Sequence, residues 1–194
     1  MTTNRLEAFS DGVLAIIITI MVLEFKAPET VHLSALKPLV PHFVSYVLSF
    51  MYVGIYWNNH HHLFQAAQQV SGGVLWANLN LLFWLSLFPF TTDWMGENGL
   101  APTPTAVYGV VLIMAAIAYY ILERTIIAKE GRDSLLARAV GEDWKAKLSL
   151  AIYLIAIPLA FVNSWIAGAL YLFGGLLWLV PDPRIERKIE KEQE

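Results

Sequence analysis

Two groups of polar side chains interrupt otherwise apolar sequence, and both contain residue types that can hold or move ions. The first is Arg5 followed by Phe9-Ser10-Asp11. It heads the run Gly12–Leu23, in which Thr19 is the one polar side chain, and Glu24-Phe25-Lys26 closes that run. The second is Asn58-Asn59-His60-His61-His62; the other two histidines are His32 and His42. Carboxylates and imidazoles within apolar helices suit an ion pathway, a proton relay or a metal centre. The metal reading fits poorly. Consecutive helical residues point about 100° apart, so three adjacent histidines do not converge on one ion. Metal-binding pairs on helices use i, i+4 spacing. A structural or proton-sensitive network is the better account of the histidines, with no resident metal.

Asp11 and Glu24 are thirteen residues apart, about 20 Å along a helix. The hydrocarbon core of a bilayer is about 30 Å thick, so at least one of these carboxylates should lie at membrane depth. Lipid cannot solvate it; protein or water must. The alternative is a tilted outer helix with both charges snorkelling, for which aspartate is a short side chain. Gly12, Ile16, Thr19 and Leu23 share one helical stripe, the i, i+4, i+7, i+11 pattern. On spacing alone, a helix-packing seam with Gly12 and Thr19 as small contact residues accounts for that stripe.

The elements that position these residues are membrane helices. The 194 residues are 57% apolar and 15% charged, against roughly 25% charged in soluble domains. Mean hydropathy is +0.53. Seven Trp and eight Tyr fit interfacial aromatic belts. There is no cysteine, and a net charge of −3 with pI near 5.9 gives no basic footprint for nucleic acid. The first apolar run lacks a small-residue cleavage site, so it reads as a retained helix rather than a signal peptide.

The pattern predicts an all-α integral membrane protein, one domain over 1–194 with six transmembrane helices. Their approximate bounds are 6–25, 39–64, 74–92, 105–127, 148–162 and 165–180, with a mixed-charge tail over 182–194. The third should stop at Pro89 and Asp93, before an acidic Gly/Pro-rich loop over 93–104. Of thirteen Lys and Arg, all but Lys26 and Lys37 fall at the N-terminus, between Arg124 and Lys147, or in the tail. That asymmetry places both termini in the cytoplasm.

With this orientation Arg5–Asp11, Asn58–His62, Asn78 and Asn80 share one inner layer. Polar groups buried without partners are costly, so mutual hydrogen bonding with an Arg5–Asp11 charge pair is expected there, fixing the rotation of the first helix. Tyr46, Tyr52, Trp57 and the remaining tryptophans read as interface anchors or packing. Val107-Tyr108-Gly109 is a chance fragment, since the Thr-Val-Gly-Tyr-Gly filter of familiar potassium channels is absent. There is no phosphate loop, dinucleotide turn or nucleophile elbow, and no enzyme is expected.

Three motifs in order resemble the transmembrane protein 175 family of potassium channels. They are Arg5-x-x-x-Phe9-Ser10-Asp11, the run Tyr56-Trp57-Asn58-Asn59-His60-His61-His62-Leu63-Phe64, and Asn80-Leu81-Leu82-Phe83 through Pro89-Phe90. The resemblance covers nearly the whole chain and implies a potassium-permeable channel. It implies that first helices line a central pore without a carbonyl-lined filter. Bacterial members have one six-helix unit per subunit and form tetramers; animal endolysosomal members carry two units and dimerise. One unit here implies the tetrameric form in a bacterial plasma membrane. Its partners would be its own copies, the bilayer and monovalent cations, with permeating K+ and no cofactor.

By the same resemblance Ile16, Thr19 and Leu23 face the conduction axis. Arg5, Phe9, Ser10, Asp11, Asn58, His61, His62 and Asn80 make up the signature network. Rings of Ile16 and Leu23 could then gate by dewetting, Thr19 hydroxyls would offer oxygen to a dehydrating cation, and Glu24 at the pore mouth would concentrate cations. A secondary transporter or proton-conducting protein using Asp11 and His60–His62 is the other reading. The internal repeats and mid-membrane helix breaks of transporters are not evident.

Overall fold

The computed structural model describes residues 3–67, 70–131, 134, 136–137 and 144–179. All regular structure within them is helical. Helix α1 spans Thr3–Leu23 and α2 Val40–Ala66, the latter preceded by a 3-10 helix, Leu33–Leu39. Then follow α3 Gly72–Leu85, α4 Phe88–Glu97, α5 Pro102–Glu130, α6 Trp144–Leu159 and α7 Ser164–Leu179. Thr3–Leu23, Leu33–Ala66, Gly72–Glu97 and Pro102–Glu130 are each long and apolar enough to cross a membrane. Helices α6 and α7 are shorter, at 16 residues each. With α3 and α4 counted as one interrupted segment, the described residues contain six long α-helical segments.

The interruption departs from the expected single helix over 74–92. Pro89 has no N–H for the carbonyl four residues back, and its ring crowds that turn. The chain tightens instead: Leu87 N–H bonds the Trp84 carbonyl at 3.3 Å, and α4 restarts with Pro89 in its first turn, where proline is tolerated. Helix α4 then runs past Asp93 to Glu97, so the expected loop over 93–104 shrinks to Asn98–Ala101. Gly99 and Leu100 carry positive φ in this turn. Pro102 and Pro104 lie in the first turn of α5 rather than in a loop. At the α6–α7 turn, Asn163 Oδ1 accepts from the Trp165 and Ile166 N–H groups at 3.0 and 3.3 Å. The tail over 182–194 lies outside the described residues.

Lipid is as apolar as a protein core, so helices in it associate through close packing and hydrogen bonds. Tyrosines supply both. The Tyr52 hydroxyl donates to the Tyr171 carbonyl at 2.6 Å, and the Tyr153 hydroxyl then donates to Tyr52 at 2.9 Å. Ser49 bonds Thr92 and, at 2.9 Å, Tyr108. Tyr171 donates to the Thr105 carbonyl at 3.2 Å. These bonds tie α2, α4, α5, α6 and α7 together, with Tyr52 and Tyr108 as buried struts, the packing role expected of Tyr52. Glycine permits the close approaches: a Cβ at Gly174 would lie 2.6 Å from the Tyr153 ring.

Candidate functional site

Helix α1 packs by one face only. Leu6, Ser10, Leu14, Ile17 and Met21 are buried against the remaining helices. The opposite face carries Arg5, Phe9, Gly12, Ile16, Thr19 and Leu23, all exposed in the isolated subunit. Ile16 is 58% and Leu23 77% exposed, so the stripe is not a packing seam within the subunit. The Thr19 hydroxyl donates to the Ile16 carbonyl at 2.9 Å. This commits its proton and leaves its oxygen lone pairs as the outward-facing acceptor. Glu24, just beyond Leu23, is exposed.

At the N-terminal end of α1 a polar network crosses three helices. Asn78 of α3 is fully buried and donates to Ser10 Oγ at 2.9 Å, and Ser10 donates to the Leu6 carbonyl at 2.9 Å. The Asn78 amide oxygen meets buried His60 Nε2 at 2.8 Å. Since the Asn78 oxygen can only accept, His60 carries its proton on Nε2. A chain of donors thus runs from α2 through α3 to the α1 backbone. Beside it, Trp57 Nε1 donates to Asp11 Oδ1 at 3.0 Å, and His61 Nδ1 lies 2.6 Å from Glu7 Oε1. The α1 and α2 helices are antiparallel here: positions 7 and 61, and 11 and 57, pair in register.

The network therefore joins Ser10, Asp11 and His61 of the signature set, with His60 and Asn78 of the expected inner layer, to Glu7 and Trp57. It omits the signature set's five others. Arg5 is exposed and makes no ion pair among the described residues, so the expected Arg5–Asp11 pairing is absent. The reason is angular: six residues apart on a helix, the two leave α1 about 120° from one another. Phe9 is exposed, Asn58 and Asn80 are half-buried outside the hydrogen bonds, and His62 touches the network through the His61 ring at 5.6 Å. Glu7 and Asp11 at i, i+4, facing Trp57 and His61 at the same spacing, was the signal available in the sequence. Among the described residues no group of three His, Cys, Asp or Glu is arranged to hold a metal ion.

Residues 5–89 match the family model described as endosomal/lysosomal potassium channel TMEM175. A potassium channel of Chryseobacterium sp. (strain P1-3) is 53% identical over 98% of this chain and its own full length. One of Chamaesiphon minutus is 31% identical over 85% of this chain and 87% of its own. The crystal structure of a lysosomal potassium-selective channel TMEM175 homologue from Chamaesiphon minutus matches with a TM-score of 0.79 at 28% identity. That match covers 91% of this chain and 96% of that one.

Proposed function

Since this chain belongs to the TMEM175 family of potassium channels, we propose that it conducts K+ passively through a central pore lined by four copies of α1. The observation that carries this reading is the two-sided character of α1. Its Ser10 face is pinned by hydrogen bonds to α2 and α3, while its Ile16–Thr19–Leu23 face has no protein against it in the subunit. A bundle of four α1 helices would turn that free face inward. Rings of Ile16 and Leu23 would narrow the axis and gate it by wetting and dewetting. Between them four Thr19 oxygens would face the axis as acceptors, and Glu24 carboxylates would draw cations to the mouth. The inner network sets the rotation of α1 and so the aim of the stripe.

Planar-bilayer recording of the purified protein under opposed K+ and Na+ gradients tests the reading. The reversal potential should follow the K+ gradient, with current that needs no coupling ion. Current that follows the proton gradient instead would favour the proton-conducting alternative. We also propose that both termini are cytoplasmic. Glu97→Cys, in a chain with no other cysteine, should be labelled by an impermeant thiol reagent from the extracellular side of intact cells. Labelling from the cytoplasmic side alone would reverse the topology.

A further inference from the structure

The end of α1 remote from the polar network is held by a separate titratable cluster. Phe25, just past α1, stacks on the His42 ring of α2 with centroids 4.4 Å apart and planes 20° apart. His42 Nε2 faces Asp93 Oδ1 of α4 at 3.4 Å. Both atoms are buried, and among the described residues neither has a hydrogen-bond partner. Gly96 backs the imidazole so closely that a Cβ there would lie 2.6 Å from the His42 Cα. Lys26 reaches Glu97 of α4 at 3.5 Å. Phe25 also meets the Tyr46 ring edge-on at 5.4 Å, while its stacked partner His42 and the Lys26–Glu97 pair tie the α1 end to α4.

The N···O separation of 3.4 Å exceeds the ~2.7–2.9 Å of a charge-assisted hydrogen bond. The pair is aligned but slack. Its charged neighbours are Glu24 and Lys26 from the segment after α1 and Glu97 from α4. With His42 neutral the cluster holds three carboxylates and one ammonium; protonating His42 adds a second cation at its centre. The imidazolium would be drawn to Asp93, and its face would attract the Phe25 ring as a cation.

We propose that His42 and Asp93 form a proton-operated clamp on the outer end of α1, tightened when His42 is protonated and loosened when it is neutral. A histidine that gains a partner on protonation favours the paired form at low pH and loses it as pH rises. The clamp's effect on conduction rests on the reading of α1 as the pore helix; the clamp itself does not.

The chain has no cysteine, so a nitroxide at Ala27→Cys, an exposed position beside the clamp, reports how firmly this end is held. In an otherwise unchanged protein its electron paramagnetic resonance spectrum should become more immobilised between about pH 8 and about pH 5, where histidine changes charge. His42→Gln should abolish that change. Asp93→Asn removes the carboxylate to which the imidazolium would be drawn and should diminish that change. Spectra that do not respond to pH would overturn the clamp. So would a His42→Gln response equal to the parent's, and, if that variant does not fold, an undiminished response in Asp93→Asn. Currents from proteoliposomes acidified on the α4-terminus side separate the two readings. A pH-responsive label with pH-insensitive current leaves the clamp standing and removes α1 from the pore.

Discussion

Leu23→Ala is expected to raise unitary conductance severalfold, and Thr19→Val to lower the K+ over Na+ permeability ratio by roughly fivefold. The two changes act on different barriers. Leu23 presents a large apolar surface with no packing partner in the subunit. In a four-helix bundle, trimming that surface would widen the ring and ease its wetting. Thr19 supplies an oxygen whose own proton is committed to the Ile16 carbonyl, so on a pore axis the hydroxyl would meet a cation as an acceptor. Valine keeps the shape and removes the oxygen. A hydrogen-bond-like contact is worth about 1 kcal/mol net, which is a factor of about five. If the stripe instead packs between subunits, both substitutions would change assembly while the surviving channels permeate as before. Reversal potentials and single-channel currents decide. Unchanged values in both variants, with the oligomer intact, would remove Ile16, Thr19 and Leu23 from the pathway.

Asn78→Leu is expected to destabilise the protein by about 2–4 kcal/mol, the largest stability effect at any network position. Asn78 is buried and joins His60 to Ser10. Leucine keeps the bulk but leaves the His60 N–H unpaired, and each buried polar group stranded in this way costs about 1–3 kcal/mol. His60 Nδ1 already lacks a partner, so the ring would lose its last hydrogen bond. Rotation of α1 would then rest on apolar packing and the Trp57–Asp11 and His61–Glu7 contacts, and channel opening should be impaired in the protein that remains folded. Arg5→Ala is the contrast. Arg5 is exposed and makes no ion pair among the described residues, and its loss should change stability by less than about 0.5 kcal/mol. Thermal or denaturant unfolding in detergent measures both. A stability loss for Arg5→Ala matching that for Asn78→Leu would mean that Arg5 holds the network after all.

Membrane character and helical class were legible in the chain because composition and run length act locally: apolar stretches separated by polar breaks need no tertiary information to be read. The stripe Gly12–Ile16–Thr19–Leu23 was legible for the same reason, since 3.6-residue periodicity assigns a face wherever the helix lies. The interruption at Ser86-Leu87 was not, because Pro89 signals a stop and a restart equally well. What decided between them was the buried environment of Thr91 and Thr92, which rewards continuing the helix to Glu97.

Partner choice is where sequence and structure part. That Asp11, His61 and Ser10 would need partners follows from the cost of burying them in an apolar medium, and the sequence alone determined that a polar layer forms. Which atoms meet depends on the antiparallel register of α1 on α2 and on the rotation that brings Asn78 of α3 beneath Ser10. These are properties of three helices at once. They gave Asp11 to Trp57 rather than Arg5, His61 to Glu7, and His60 to Asn78. The outer cluster is still further from sequence. Phe25, His42 and Asp93 belong to separate segments and share no motif. Only the packing of α4 across the end of α2, with no side chain at Gly96 to hold them apart, brings a carboxylate to face a stacked imidazole.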